Sequence, residues 1–232
     1  FFSIYIKIIN LFLYYMNSKI IFFMGTRPEA IKMLPVAIHL GKKTKKKILI
    51  CSTGQHKELL DDVFSVFEIK PDIKFKLYNS DDTLNILLTK IYKSVSNLLN
   101  KLQPDLVLVH GDTANSMICS LAAFNKKIKI GHVEAGLRSF DNKSPWPEEV
   151  YRKLITNMSD FHFCPTKLNK ENLLKENISN KLIKITGNTV IDSIKYFLEI
   201  SKKNIKFKKK YQSFIKSISF DSNEKNILVT IH

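Results

Sequence analysis

The chain has 232 residues, 44% of them hydrophobic, and a formal net charge of +16; that suffices for one large or two small domains of ordinary globular composition. Cys51, Cys119 and Cys164 are far apart and form no CxxC pair, which argues against a disulfide framework or a zinc site and for a reducing compartment. The excess charge is lysine, with Arg27, Arg138 and Arg152 the only arginines; nucleic-acid readers lean on the planar arginine fork, so the lysine runs at 42–47 and 202–210 read as solvated faces and no nucleic-acid partner is expected.

In chain order, residues 1–15 are almost wholly apolar with Lys7 among them. The run is shorter than the ~20 residues that span a bilayer. Met16 is expected to be the true start and 1–15 an upstream extension, a membrane-associated helix being the alternative. Lys-Ile-Ile-Phe-Phe-Met at 19–24 ends at Gly25 and reads as a buried parallel strand. Pro28 opens a helix with Ile31, Leu34, Pro35 and Ile38 on its apolar face, and Pro35 is expected to bend or shorten it. Further strands are expected at 47–51, 105–110, 128–133, 161–164 and 182–186. Helices are expected at 58–67, 84–102 (ended by Pro104), 113–124, 148–158, 166–176 (capped by Thr166) and 190–201. This alternation predicts an α/β fold, a doubly wound, mainly parallel Rossmann-like sheet over 16–201. A basic linker is expected at 202–225. Residues 226–232 read as the first strand of a second domain, truncated there, because a lone edge strand cannot bury its faces.

Ligands of open parallel sheets bind beyond the carboxyl ends of the strands. Four segments place unusual polar residues there. Gly25-Thr26-Arg27-Pro28-Glu29-Ala30 delivers Arg27 to a helix N-terminus, with Lys32 one turn on, a combination that suits a pyrophosphate. The spacing is not GxGxxG, and a solvated loop arginine is the plain alternative. In His110-Gly111-Asp112-Thr113, Asp112 follows a buried strand and is either functional or the N-cap of the next helix. Glu134, in His132-Val133-Glu134-Ala135-Gly136-Leu137-Arg138, also leaves a strand end; the alternative there is a Glu134–Arg138 ion pair. Glu148 and Glu149, after Ser144-Pro145-Trp146-Pro147, stand where a helix dipole favours acids. Together, Asp112, Glu134 and Glu148 are expected to converge on one rim beside Arg27 and Lys32. Like charges there are expected to raise at least one carboxyl pKa and prepare it to move protons. That describes chemistry at a sugar carbon attached to a nucleotide diphosphate.

These motifs, with Gln55-His56 and Thr186-Gly187-Asn188-Thr189-Val190-Ile191-Asp192, strongly resemble the non-hydrolysing UDP-N-acetylglucosamine 2-epimerases of bacteria over about 19–230. The resemblance implies the N-terminal domain of a glycosyltransferase-B-type two-domain fold with substrate in the cleft between domains. It implies UDP-GlcNAc/UDP-ManNAc interconversion, by UDP elimination and re-addition, for surface polysaccharide precursors. No redox cofactor or metal is implied, and a homodimer is; the cysteine pattern itself points to a reducing cytoplasm. By match to the motifs, Asp112, Glu134 and Glu148 are the catalytic carboxylates, and Arg27, Lys32, Asp112, Glu134 and His232 contact substrate. Gln55 and His56 border a regulatory site in some members. Family members read Gly-His-Arg where this chain reads Ile231-His232 and stops, so the chain itself is expected to have little or no epimerase activity. A non-catalytic remnant, or a hydrolysing epimerase or glycosyltransferase of the same fold, are the alternatives; the three carboxylates speak against a glycosyltransferase.

Overall fold

The computed structural model describes residues 19–54, 57–79, 81–203, 209 and 212–213. The extension at 1–15, Gln55, His56, the strand at 226–230 and His232 lie outside them, as does most of the 202–225 linker. Among the described residues, strands β1 (Lys19–Met24), β2 (Lys47–Ser52), β3 (Ile73–Lys74), β4 (Leu106–His110), β5 (Lys129–Val133), β6 (Phe161–Cys164) and β7 (Ile183–Ile185) alternate with seven α-helices. These are α1 (Arg27–Lys43), α2 (Lys57–Val66), α3 (Leu84–Leu102), α4 (Ala114–Phe124), α5 (Glu148–Met158), α6 (Lys167–Lys175) and α7 (Val190–Lys203). These seven strands pair in parallel throughout, in the order β3-β2-β1-β4-β5-β6-β7. The doubly wound expectation therefore holds, with the sheet wholly parallel. β3 was not anticipated, because two residues carry no periodic signal. The chain divides after Ser193, within α7, into two compact units; the sheet belongs to the first.

The chain runs outward from β1 to β3 on one side and from β4 to β7 on the other. The switch between β1 and β4 opens a crevice at their carboxyl ends. Both strands are buried on both faces, which is why they read as unbroken apolar runs. One face is covered by α3 and α4. Leu87, Ile91, Val95 and Leu99 recur at helical spacing and pack with Cys119, Ala122 and Ala123 on Ile21, Phe23, Val107 and Val109. Each such Leu, Ile or Val contributes roughly 1.5–3 kcal/mol by leaving water.

α1 continues unbroken through Pro35 to Lys43, contrary to the expected bend or shortening. Proline has no N–H, so the Ile31 carbonyl four residues back lacks its helical donor. The Ser193 hydroxyl of α7 donates to that carbonyl instead. A bond from outside the helix thus fills the gap, and Pro35 is itself buried against the core.

Candidate active site

The loop after β1 is held from below by one carboxylate. Thr26 caps α1 and Glu29 completes its capping box, fully buried. Glu29 Oε2 accepts the backbone N–H groups of Gly25 (2.6 Å) and Thr26 (2.7 Å). Its Oε1 reaches the start of α4, accepting from Thr113 Oγ1 (2.5 Å) and Asn115 Nδ2 (3.2 Å). The Ser116 hydroxyl, 2.7 Å from Oε1, is also 2.7 Å from the His110 carbonyl. Above this buried network Arg27 is exposed at the first turn of α1 and joins no ion pair among the described residues.

Glu134 leaves β5 with φ 63°, a left-handed conformation that costs most residues energy and marks strained functional turns. The turn is completed by Gly136 at φ 86°, where a Cβ would come within 2.2 Å of the Asn169 carbonyl oxygen. Only glycine fits that approach. The turn aims the Glu134 carboxylate at Lys32, whose Nζ donates to Oε1 at 2.7 Å and Oε2 at 2.9 Å. His110 Nε2 stands 3.1 Å from Oε2, close but without good hydrogen-bond alignment. Asn188 Nδ2 donates to Oε1 at 3.4 Å. Burial pushes the Glu134 carboxyl up, yet His110 and Lys32 together outweigh it and hold the carboxyl down at about 2. The expected mutual repulsion of carboxylates is not what governs Glu134. It faces Lys32 and His110 rather than other acids, so its pKa falls instead of rising.

Asp112 is not the N-cap of α4. Thr113 takes that place, its hydroxyl accepting from Ser116 N, which frees the Asp112 carboxylate. Arg152 of α5 grips Asp112 Oδ2 through Nε (2.8 Å) and Nη2 (2.6 Å). The same guanidinium donates through Nη1 to Glu149 Oε2 at 3.0 Å. Glu149 is fully buried and accepts the N–H groups of Ser139 (3.0 Å) and Phe140 (3.2 Å). Burial raises its pKa, but these N–H groups and Arg152 bring it below the ordinary value. The turn that precedes Asp112 passes close to Glu134: a Cβ on Gly111 would lie 3.8 Å from Glu134 Oε2. Glu148 is half-buried in the first turn of α5, with no hydrogen bond or ion pair to another described residue. Its link to the rim is the helix it shares with Arg152.

The alternative Glu134–Arg138 pair does not form. Arg138, its side chain fully buried, donates to Glu176 through Nε (2.6 Å) and Nη2 (2.7 Å) and to Thr156 Oγ1 at 3.0 Å. Residues 134–138 are a turn and not a helix, so a spacing of four does not bring side chains together.

Behind the rim, His132 and His162 sit side by side in the β5–β6 register. His132 Nε2 lies 2.7 Å from the Gly111 carbonyl. Burial forces its pKa down to about 3, and burial with the nearby Arg138 forces His162 down to about 4. His132 is therefore neutral near pH 7, and its Nε2–H donates to Gly111, bracing the loop that carries Asp112.

Of the residues expected at one rim, the structure joins Lys32 to Glu134 and sets Asp112 on the adjacent turn, while Arg27 and Glu148 make no hydrogen bond or ion pair with them among the described residues; the residues that hold this arrangement were not anticipated. Glu29 was signalled by the Thr26-x-x-Glu29 capping-box spacing. Arg152 and Glu149 were signalled only by an acid pair followed three residues later by an arginine, a pattern common on helix surfaces. Among the described residues no cluster of His, Cys, Asp or Glu is arranged to hold a metal ion. No described helix is long and apolar enough to cross a membrane.

Comparison with known proteins identifies the family and the fold. The UDP-N-acetylglucosamine 2-epimerase from Campylobacter jejuni is 43% identical over 218 residues, 94% of this chain and 57% of that protein. The enzyme of the same name from Neisseria meningitidis serogroup A is 44% identical over 92% of this chain and 57% of its own length. The crystal structure of the UDP-GlcNAc 2-epimerase from Neisseria meningitidis, bound to UDP-GlcNAc, superposes with a TM-score of 0.79 at 44% identity, covering 85% of this chain and 54% of that one. The Methanocaldococcus jannaschii UDP-GlcNAc 2-epimerase, in complex with UDP-GlcNAc and UDP, gives 0.78 at 34% identity over 86% of this chain and 53% of that one. The chain thus spans about half the length of the relatives it matches. A lipopolysaccharide outer core galactosyltransferase, at 16% identity and a TM-score of 0.52, shares the fold alone, so the sheet is the Rossmann-like half of a glycosyltransferase-B-type architecture. The family model for UDP-N-acetylglucosamine 2-epimerase matches residues 39–232, and the chain belongs to that family of isomerases.

Proposed function

We propose that this chain supplies the sugar-facing half of a site that interconverts UDP-GlcNAc and UDP-ManNAc by elimination and re-addition of UDP. The observation that carries the reading is the rim itself: Glu134 against Lys32 and His110, with Asp112 alongside on the Gly111 turn. Arg27, exposed at a helix N-terminus, has the chemistry for the departing diphosphate. Glu134, held ionised with a pKa of about 2, is a weak base and suits steadying positive charge at the anomeric carbon. Asp112 and Glu148 then handle the C2 proton. In this reading residues 16–201 are one domain, 202–225 a linker and 226–232 the start of a second, with His232 reaching substrate and Gln55 and His56 bordering a regulatory site. Assembly is as a homodimer, and three buried free thiols fit the reducing cytoplasm.

A chimera tests this: residues 16–230 joined to the remaining C-terminal part of the Neisseria meningitidis relative. Given UDP-GlcNAc, it is expected to form UDP-ManNAc by NMR. Asp112→Asn in it should lower the rate by about 100-fold or more. A folded chimera that releases free ManNAc, or that is indifferent to Asp112→Asn, would refute the reading.

A further inference from the structure

We infer that Glu29 is a positioning residue that holds the diphosphate side and the sugar side of the site in register. The inference rests on the functional reading above and names a residue that acts through others. A capping-box glutamate serves its own helix. Glu29 does that with Oε2, which takes Gly25 N and Thr26 N at the mouth of α1. Its Oε1 does something else. It receives Thr113 and Asn115 of α4, 84 and 86 residues along the chain, and lies 2.7 Å from the Ser116 hydroxyl, which the His110 carbonyl shares. One buried carboxylate thus spans the switch between β1 and β4. On one side is the loop that carries Arg27; on the other, the residues that flank Asp112.

The network reaches one layer further. Asn115 Oδ1 accepts from Thr53 Oγ1 at 2.6 Å, at the end of β2. Thr53 and Asn115 also crowd Gly25, where a Cβ would come within 2.6 Å of Asn115 Cγ and 2.7 Å of Thr53 Oγ1. The loop after β1 is therefore seated on the α4 side chains with no room to shift. A buried polar cluster specifies one arrangement only when every member is satisfied. Five of the groups around Glu29 can donate to it. A glutamine there would present an N–H₂ to donors and leave part of the cluster unsatisfied.

The test cuts the tie from its far end. Thr113→Val removes a Glu29 partner together with the N-cap of α4 and leaves the α1 capping box intact; Thr113→Ser keeps the hydroxyl for both. In the chain as it stands, residue-resolved amide exchange is compared for wild type, Thr113→Val, Thr113→Ser and Glu29→Gln. Thr113→Val is expected to speed exchange at Gly25 and Thr26, on the other side of the β1–β4 switch, by about tenfold or more, and Thr113→Ser to restore it. Glu29→Gln should speed exchange at Gly25, Thr26, Gly111 and Asp112 together. UDP-GlcNAc titrated into the same samples should bind about tenfold more weakly to Thr113→Val than to Thr113→Ser, a difference of about 1.4 kcal/mol. Unchanged exchange at Gly25 and Thr26 in Thr113→Val would reduce Glu29 to a helix cap and overturn the inference, as would equal UDP-GlcNAc affinity in the two Thr113 variants. A wild type that gives no response to UDP-GlcNAc would instead defeat the functional reading, and the exchange comparison would then decide the coupling by itself.

Discussion

Below about pH 6.5 the protein is expected to lose stability at roughly 3 kcal/mol per pH unit from two residues, His132 and His162. Both are buried, and their folded pKa values fall from 6.5 to about 3 and about 4. The unfolded chain takes up protons that the folded chain refuses. The stability tied to the neutral rings is therefore intact above the unfolded value and drains as pH falls from 6.5 to about 4, where His162 protonates in the folded state, and on to about 3 for His132. Over that window the loss is on the order of 8 kcal/mol, comparable to the whole stability of a domain. Guanidinium unfolding followed by circular dichroism at about pH 7.5 and about pH 5.5 reads it directly. His132→Asn should roughly halve the slope, because an amide can still donate to the Gly111 carbonyl but does not titrate. Equal stability at the two pH values would contradict the burial argument.

The second large effect is at Glu134. Glu134→Ala is expected to cost about 3 kcal/mol at neutral pH, because it strands the partly buried Lys32 ammonium beside His110. The pH dependence has a defined sign. The folded carboxyl titrates at about 2 against an ordinary 4.5. Its contribution is complete above the unfolded value and vanishes as pH falls from 4.5 towards about 2. The gap between wild type and variant should close over that range. A gap that stays constant from neutral pH into that window would mean that Glu134 is held by shape and not by charge.

Much of this was legible in the sequence. The apolar runs ending at Gly25, His110 and Val133 gave the strands, and Leu84–Leu102 and Glu148–Met158 were read to the residue. Those strand ends also marked the carboxyl edge of the sheet as the place to look for a site, since a parallel sheet presents that edge to ligand. Partner choice was not legible. Arg138 lies four residues from Glu134 yet pairs with Glu176, and Asp112 pairs with Arg152, 40 residues away. Both outcomes depend on which loops the fold brings together and on the left-handed turn at Glu134, neither of which has a local pattern. Pro35 is a similar case. The rule that proline breaks a helix was sound, but a serine from α7 supplied the missing donor.

The central claim is that the carboxyl edge of the sheet, around the β1–β4 switch, is half of a nucleotide-sugar site. A titration of the ¹⁵N-labelled chain with UDP-GlcNAc, followed by amide chemical shifts, tests it most directly. The account predicts that shifts cluster at Gly25–Lys32, Gly111–Thr113, Glu134–Leu137 and the start of α5. No shifts at saturating ligand, or shifts gathered on the outer face of α3 and α4, would contradict it.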